Sequence, residues 1–178
     1  NLIPLKEEEA YPANPESSYG WSKLMGEYEA VLARKNNLIE TGILRLHNVY
    51  GPPCDYSEEM SQVIPALCRK ILTEERLIVW GSGNQKRSFI YVDDAIKAIM
   101  LMLDNDMNQG PIQIGSAKSF TIKSIAEKLV KISQTKIPTI YDKSKPEGDF
   151  DRRPDLSKAK KILGWNQSVE IDEGLKYT

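Results

Sequence analysis

Residues Pro15–Glu27 read PESSYGWSKLMGE, and the organisation of the chain is worked out from this stretch. From Ser17 to about Asn36 the residues Leu24, Tyr28, Val31 and Leu32 recur at helical spacing, which predicts a helix. Tyr19 and Lys23 stand four apart near its start, so they share a face. A lysine ammonium beside a phenol favours the phenolate and lowers its pKa. That pair suits a tyrosine that exchanges a proton with a hydroxyl. Spacing alone does not establish the chemistry, because Tyr141 and Lys145 repeat it in a stretch rich in Pro and Gly.

Working outward, residues 1–16 are polar, carry three prolines and predict an extended loop. The chain starts at Asn1 without Met, and its start is expected to be a cut. Downstream, Thr41–Val49 predicts a strand stopped by Gly51-Pro52-Pro53. Its alternate residues Ile43, Arg45 and His47 face one side, and Leu44, Leu46 and Asn48 the other. A helix is expected from about Glu59 to Leu72, a strand over Leu77–Trp80, a hairpin turn at Gly81–Asn84 and a strand over Ser88–Val92. Asp93 suits the N-cap of a helix ending near Leu103. Pro111–Gly115 predicts a strand, Thr121–Gln134 an amphipathic helix and Ile137–Tyr141 a strand. After a charged loop, a helix runs from Asp155 to Leu163, and the last begins near Asp172. Strands alternating with helices give an α/β class.

Composition narrows the function classes. The 178 residues carry 24 Lys+Arg against 25 Asp+Glu, for a net charge of -1. That balance argues against a nucleic-acid or membrane-surface binder, which carries a basic excess. No apolar run approaches the ~20 residues of a spanning helix. Cys54 and Cys68 are too few for a disulfide scaffold, so a reducing cytoplasm is expected. His47 is the only histidine, which excludes a His-pair metal site. The carboxylates Asp142, Glu147, Asp149, Asp151 and Asp155 lack calcium-loop spacing.

Four ordered stretches carry a resemblance: PESSYGWSKLMGE, then LRLHNVYGP (Leu44–Pro52), then VIPALCRK with VWGSGNQKRSFIYVDDA (Val79–Ala95), then YDKSKPEGDFDRRPDLSKAKKILGW (Tyr141–Trp165). Together they resemble the extended short-chain dehydrogenase/reductases, the NAD-dependent nucleotide-sugar epimerases and dehydratases. VIPALCRK, VWGSGNQ and DKSKPEGD are most similar to GDP-fucose synthases. YPANPESSYG and LHNVYGP are most similar to GDP-mannose 3,5-epimerases. Each specific chemistry stops at one residue. Gln62 stands where the synthases have a catalytic His, and Gln does not titrate. Ser57 stands where the plant-type epimerases have a catalytic Lys.

The family's glycine-rich strand-to-helix turn, which cradles the dinucleotide, has no counterpart in these residues. Gly81-Ser82-Gly83 is followed by a strand-like segment, so it is a turn rather than a phosphate cradle. The resemblance therefore implies the C-terminal part of a Rossmann-type enzyme: the last sheet strands plus a small α/β substrate-binding domain. Residues 1–53 would be the end of the nucleotide-binding domain, with the YxxxK helix. Residues 54–178 would be mainly substrate-binding, with 92–115 returning to the nucleotide-binding sheet.

The resemblance also implies roles. Tyr19 and Lys23 would be catalytic and would hold the nicotinamide ribose of NAD or NADP in the intact enzyme. His47 would be a core or cofactor-facing residue. Arg87 and one or both of Arg152 and Arg153 would contact the nucleotide diphosphate, for which Arg is best suited. Asn48, Lys70 and Trp80 would complete the substrate site, with Trp80 either lining the base pocket or packing in the strand core. Cys68 is expected to be a buried, inert thiol. The chain alone is expected neither to retain the cofactor nor to turn over. It is expected to dimerise through residues 17–49, because the helix and strand there would lack their upstream neighbours. A second possibility is a non-catalytic module that binds a nucleotide-sugar or a partner subunit.

Overall fold

The computed structural model of the chain describes residues 4–15, 17–58, 61–145 and 150–178. Glu59, where a helix was expected to begin, and Glu147 and Asp149 of the charged loop lie outside them.

Four helices carry the fold. α1 (Ser18–Lys35) starts where the Ser17 hydroxyl accepts from the Gly20 N–H. α2 (Val63–Thr73) begins at Gln62, and its Pro65 sits in the first turn, where no helical hydrogen bond is lost. α3 spans Val92–Leu103. α4 (Ile122–Ser133) is capped by the Thr121 hydroxyl, which accepts from Ser124 N–H at 3.0 Å. Two short helices follow, α5 (Ser157–Leu163) and α6 (Ile171–Tyr177). The region expected to be loop before α1 holds a 3-10 turn over Glu7–Ala10.

The strands are β1 (Leu44–Leu46), β2 (Val49–Tyr50), β3 (Leu77–Trp80), β4 (Lys86–Arg87), β5 (Ile90–Tyr91), β6 (Ile112–Ile114), β7 (Phe120–Thr121), β8 (Thr139–Asp142) and β9 (Asp151–Arg152). β1 pairs with β6, β2 with β5, and β3 with β8, all parallel. β4 lies between β7, antiparallel, and β9, parallel.

Three expectations need correction. The strand over Thr41–Val49 is two strands, broken at His47-Asn48. Asn48 has a positive φ of 33°, and its side-chain amide donates to the Ser88 carbonyl oxygen at 2.8 Å. The break turns the chain from β6 to β5 as its partner. Gly81–Asn84 closes no hairpin: among the described residues β3 pairs only with β8, so the turn links two different sheets. Asp93 lies in the first turn of α3, and the N-cap is Tyr91.

Two apolar clusters form the core. One joins α2, α4, α6 and β3 through Ile64, Leu67, Leu77, Val79, Ile125 and Leu175. The other joins α3, α5 and β6 through Ala98, Met102, Ile112, Ile114, Leu163 and Trp165. Asp94, 1 % exposed, links them. Its carboxylate accepts from Ser168 N–H, the Ser168 hydroxyl and Val169 N–H, and its carbonyl oxygen accepts from Trp165 Nε1 at 2.9 Å. Removing the carboxylate strands buried donors, so Asp94→Ala is expected to cost about 2–4 kcal/mol. Thermal unfolding followed by circular dichroism checks this, and an unchanged Tm contradicts it.

Candidate functional site

A cleft of about 1270 Å³ opens over the break between β1 and β2. Its floor is His47 and Asn48, one wall is the face of α2 from Gln62 to Lys70, and Tyr19 of α1 stands at its edge. The opposite wall comes from β3, β4 and β9. β3 alternates as a strand should: Leu77 and Val79 point into the core, while Ile78 and Trp80, 37 % and 54 % exposed, face the cleft. Trp80 is thus a cleft residue and not a core one.

Arg87 and Arg152 come from neighbouring strands and are direct register partners, which sets two cations side by side on the cleft wall. Arg87 Nη1 donates to the Lys86 carbonyl oxygen at 2.7 Å. Arg153 is the next residue along, does not line the cleft, and its Nε lies 3.5 Å from an Asp151 carboxylate oxygen. Lys70 lines the cleft while its Nζ donates to the Ile78 carbonyl oxygen at 3.0 Å, tying α2 to β3. Gln62 is also there, an amide where proton transfer would need a titrating group.

Tyr19 is 70 % exposed, and Lys23 Nζ lies 5.3 Å from its ring centroid, over the ring face. Lys23 borders a second cavity of about 310 Å³ together with Glu27, Arg45 and Gln113. Arg45 holds this end of α1 with two bonds to the Glu27 carboxylate, of 2.8 and 2.7 Å, and a third to the Glu7 carbonyl oxygen at 2.9 Å.

Gln113, which the sequence reading does not single out, borders the second cavity and supports His47 from behind the cleft floor. It sits buried in β6, and its side-chain amide meets His47 Nε2 on one side and the Leu5 carbonyl oxygen on the other, at 2.9 and 2.8 Å. The one signal of it in the sequence is a lone polar residue in the apolar run Ile112–Ile114. Cys68 is half-buried, and burial pushes its thiol up to about 11, which makes it a poor nucleophile.

The model of the NAD dependent epimerase/dehydratase family matches residues 2–115. The chain belongs to that family. GDP-mannose 3,5-epimerase of Arabidopsis thaliana is 33% identical over 177 residues, which cover 99% of this chain and 46% of the relative. Among solved structures, UDP-glucose 4-epimerase from Thermotoga maritima, crystallised with UDP-glucose, is 31% identical with a TM-score of 0.88. The match covers 100% of this chain and 56% of that one. UDP-glucuronic acid 4-epimerase from Bacillus cereus, in complex with UDP-glucuronic acid and NAD, gives 31% and a TM-score of 0.82 over 92% of this chain and 52% of the other. The chain thus spans about half the length of the relatives it matches. Among the described residues no helix is long and apolar enough to cross a membrane.

Burial lowers the pKa of His47, and nearby Arg152 adds to the effect against the Gln113 hydrogen bond and Glu7. The unfolded chain takes up this proton near the ordinary value of about 6.5, and the folded chain only below it. Stability is therefore full above about pH 6.5 and falls as pH drops toward the folded-state value. Tm is expected to decline across that window, and His47→Gln is expected to remove this part of the decline. Parallel pH–Tm curves for parent and variant would contradict it.

Proposed function

We propose that the chain is the C-terminal, substrate-binding part of an NAD(P)-dependent nucleotide-sugar epimerase, dehydratase or reductase that acts on a GDP- or UDP-sugar in sugar-nucleotide or surface-polysaccharide biosynthesis. The observation that carries this is the pairing of Arg87 with Arg152 in one cleft with Tyr19 and Trp80. Two adjacent guanidinium groups match the two phosphates of a nucleoside diphosphate. Trp80 offers an exposed aromatic face to the base, and Tyr19 stands at the edge where a hexose would lie.

In this reading Tyr19 gives or takes the proton of a sugar hydroxyl, and Lys23 on the same helix face keeps a positive charge next to it. Asn48 orients the sugar end. Tyr19 and Lys23 fit the nicotinamide end of NAD(P), which supplies hydride acceptance and return. These residues contain no glycine-rich turn for its diphosphate, so residues 1–53 supply only the end of a nucleotide-binding domain. Residues 54–178 are mainly substrate-binding, with 92–115 on the nucleotide-binding side. The pairing of β6 with β1 supports that return.

Isothermal titration of the chain with GDP-mannose and UDP-glucose tests the proposal. Binding is expected, and Arg87→Ala is expected to weaken it by about 1.5–3 kcal/mol, the range for charged hydrogen bonds. Equal affinity in parent and variant would remove Arg87 from the site.

We also propose a homodimer through residues 17–49. α1 buries none of its side chains fully and leaves Trp21, Met25 and Tyr28 more than half exposed. Light scattering at tens of micromolar is expected to give twice the 20.2 kDa chain mass, and a clean monomer would overturn this.

A further inference from the structure

His47 is held by a relay whose direction is fixed at its far end. A backbone carbonyl oxygen can only accept, so the Gln113 amide must turn its NH₂ to Leu5 O, 2.8 Å away. Its amide oxygen then faces His47 Nε2 at 2.9 Å, and that nitrogen must carry the hydrogen. A neutral imidazole has one hydrogen, so Nδ1 is left with a lone pair. Gln113 is itself buried, and the Glu7 carboxylate accepts from its backbone N–H at 2.9 Å, so Gln113 is held through both its backbone and its side chain.

The cleft around His47 is rich in donors. Arg87, Arg152 and Lys70 can only donate. Such a wall suits phosphates, while acceptors for sugar hydroxyl hydrogens stand elsewhere in the lining, among them Glu58, Ser61 and Gln62 ahead of α2 and His47 on the floor. We propose that His47 Nδ1 is a preset hydrogen-bond acceptor for a hydroxyl of the hexose, with its tautomer dictated by Gln113 and Leu5. His47 then acts in substrate specificity rather than in proton transfer, and Gln113 is a positioning residue. This inference rests on the nucleotide-sugar reading of the cleft.

His47 is the only histidine, so ¹⁵N-histidine labelling gives two ring signals without ambiguity. At pH 8 the chain is expected to show a protonated Nε2 and a lone-pair Nδ1, and Gln113→Leu is expected to give a mixture of tautomers. Titration with UDP-glucose or GDP-mannose is expected to shift the Nδ1 signal, while UDP or GDP alone leaves it in place. His47→Phe is expected to lower affinity for the nucleotide-sugar about tenfold, the worth of one hydrogen bond, and affinity for the diphosphate less than twofold. An Nδ1–H tautomer in the parent chain overturns the inference. So does a bound nucleotide-sugar, its affinity dependent on Arg87, that leaves Nδ1 unmoved; that outcome leaves the nucleotide-sugar reading standing. Failure of every nucleotide-sugar to bind overturns both.

Discussion

The Arg45 guanidinium is the contact on which the arrangement of the site depends. α1 carries Tyr19 and Lys23, yet none of its side chains is fully buried, so hydrophobic burial does little to fix its pose. Arg45 grips the Glu27 carboxylate with two parallel bonds and the Glu7 carbonyl oxygen with a third. This fork-to-fork geometry is rigid where a lysine would swivel. Both side chains are 19% exposed, so water screens the pair less than a surface pair. Arg45 lies two residues before His47, so one residue ties the helix with Tyr19 to the strand that leads to the cleft floor. The Thr41 hydroxyl, which donates to the Ala30 carbonyl oxygen at 3.0 Å, adds a second tie near the end of α1.

The cleft itself is made by interruptions of regular structure. Had Thr41–Val49 run on as one strand, His47 and Asn48 would be ladder residues paired to a single neighbour. Asn48 instead takes a left-handed conformation, which its short side chain tolerates while bonding the Ser88 carbonyl oxygen. The chain leaves β6 and joins β5, and the cleft opens at the change of partner. Open α/β sheets place their binding crevices where strand order switches.

Much of this was legible in the sequence because it is local. The helix from Ser17, the shared face of Tyr19 and Lys23 on it and the strand over Leu77–Trp80 each follow from neighbouring residues. The family resemblance points to Arg87, Arg152 and Arg153 together; the register brings Arg87 and Arg152 side by side in the cleft and leaves Arg153 out of its lining. What was not legible depends on distant pairing. Nothing in Gly81–Asn84 shows that β3 seeks β8 and not β4, since a glycine turn serves a hairpin and a crossover equally. Asp93 and Asp94 are indistinguishable as caps by type; only the packing of residues 165–169 against α3 buries the second of them. Gln113 and Leu5 are 108 residues apart, and no local pattern connects them.

The turn between β3 and β4 has a geometric consequence. Trp80 ends one sheet and Arg87 sits in another, and only residues 81–85 separate the strands that carry them. That link has little slack. Gly81 and Gly83 both have positive φ, and a Cβ on Gly83 would stand 2.8 Å from the Tyr141 ring. The spacing between the aromatic face and the paired guanidinium groups is therefore set like marks on a ruler. Of that loop, Gln85 alone lines the cleft. In the proposed reading, a nucleotide whose base and phosphates match that interval fits both marks at once, and a shorter or longer one must give up one of them.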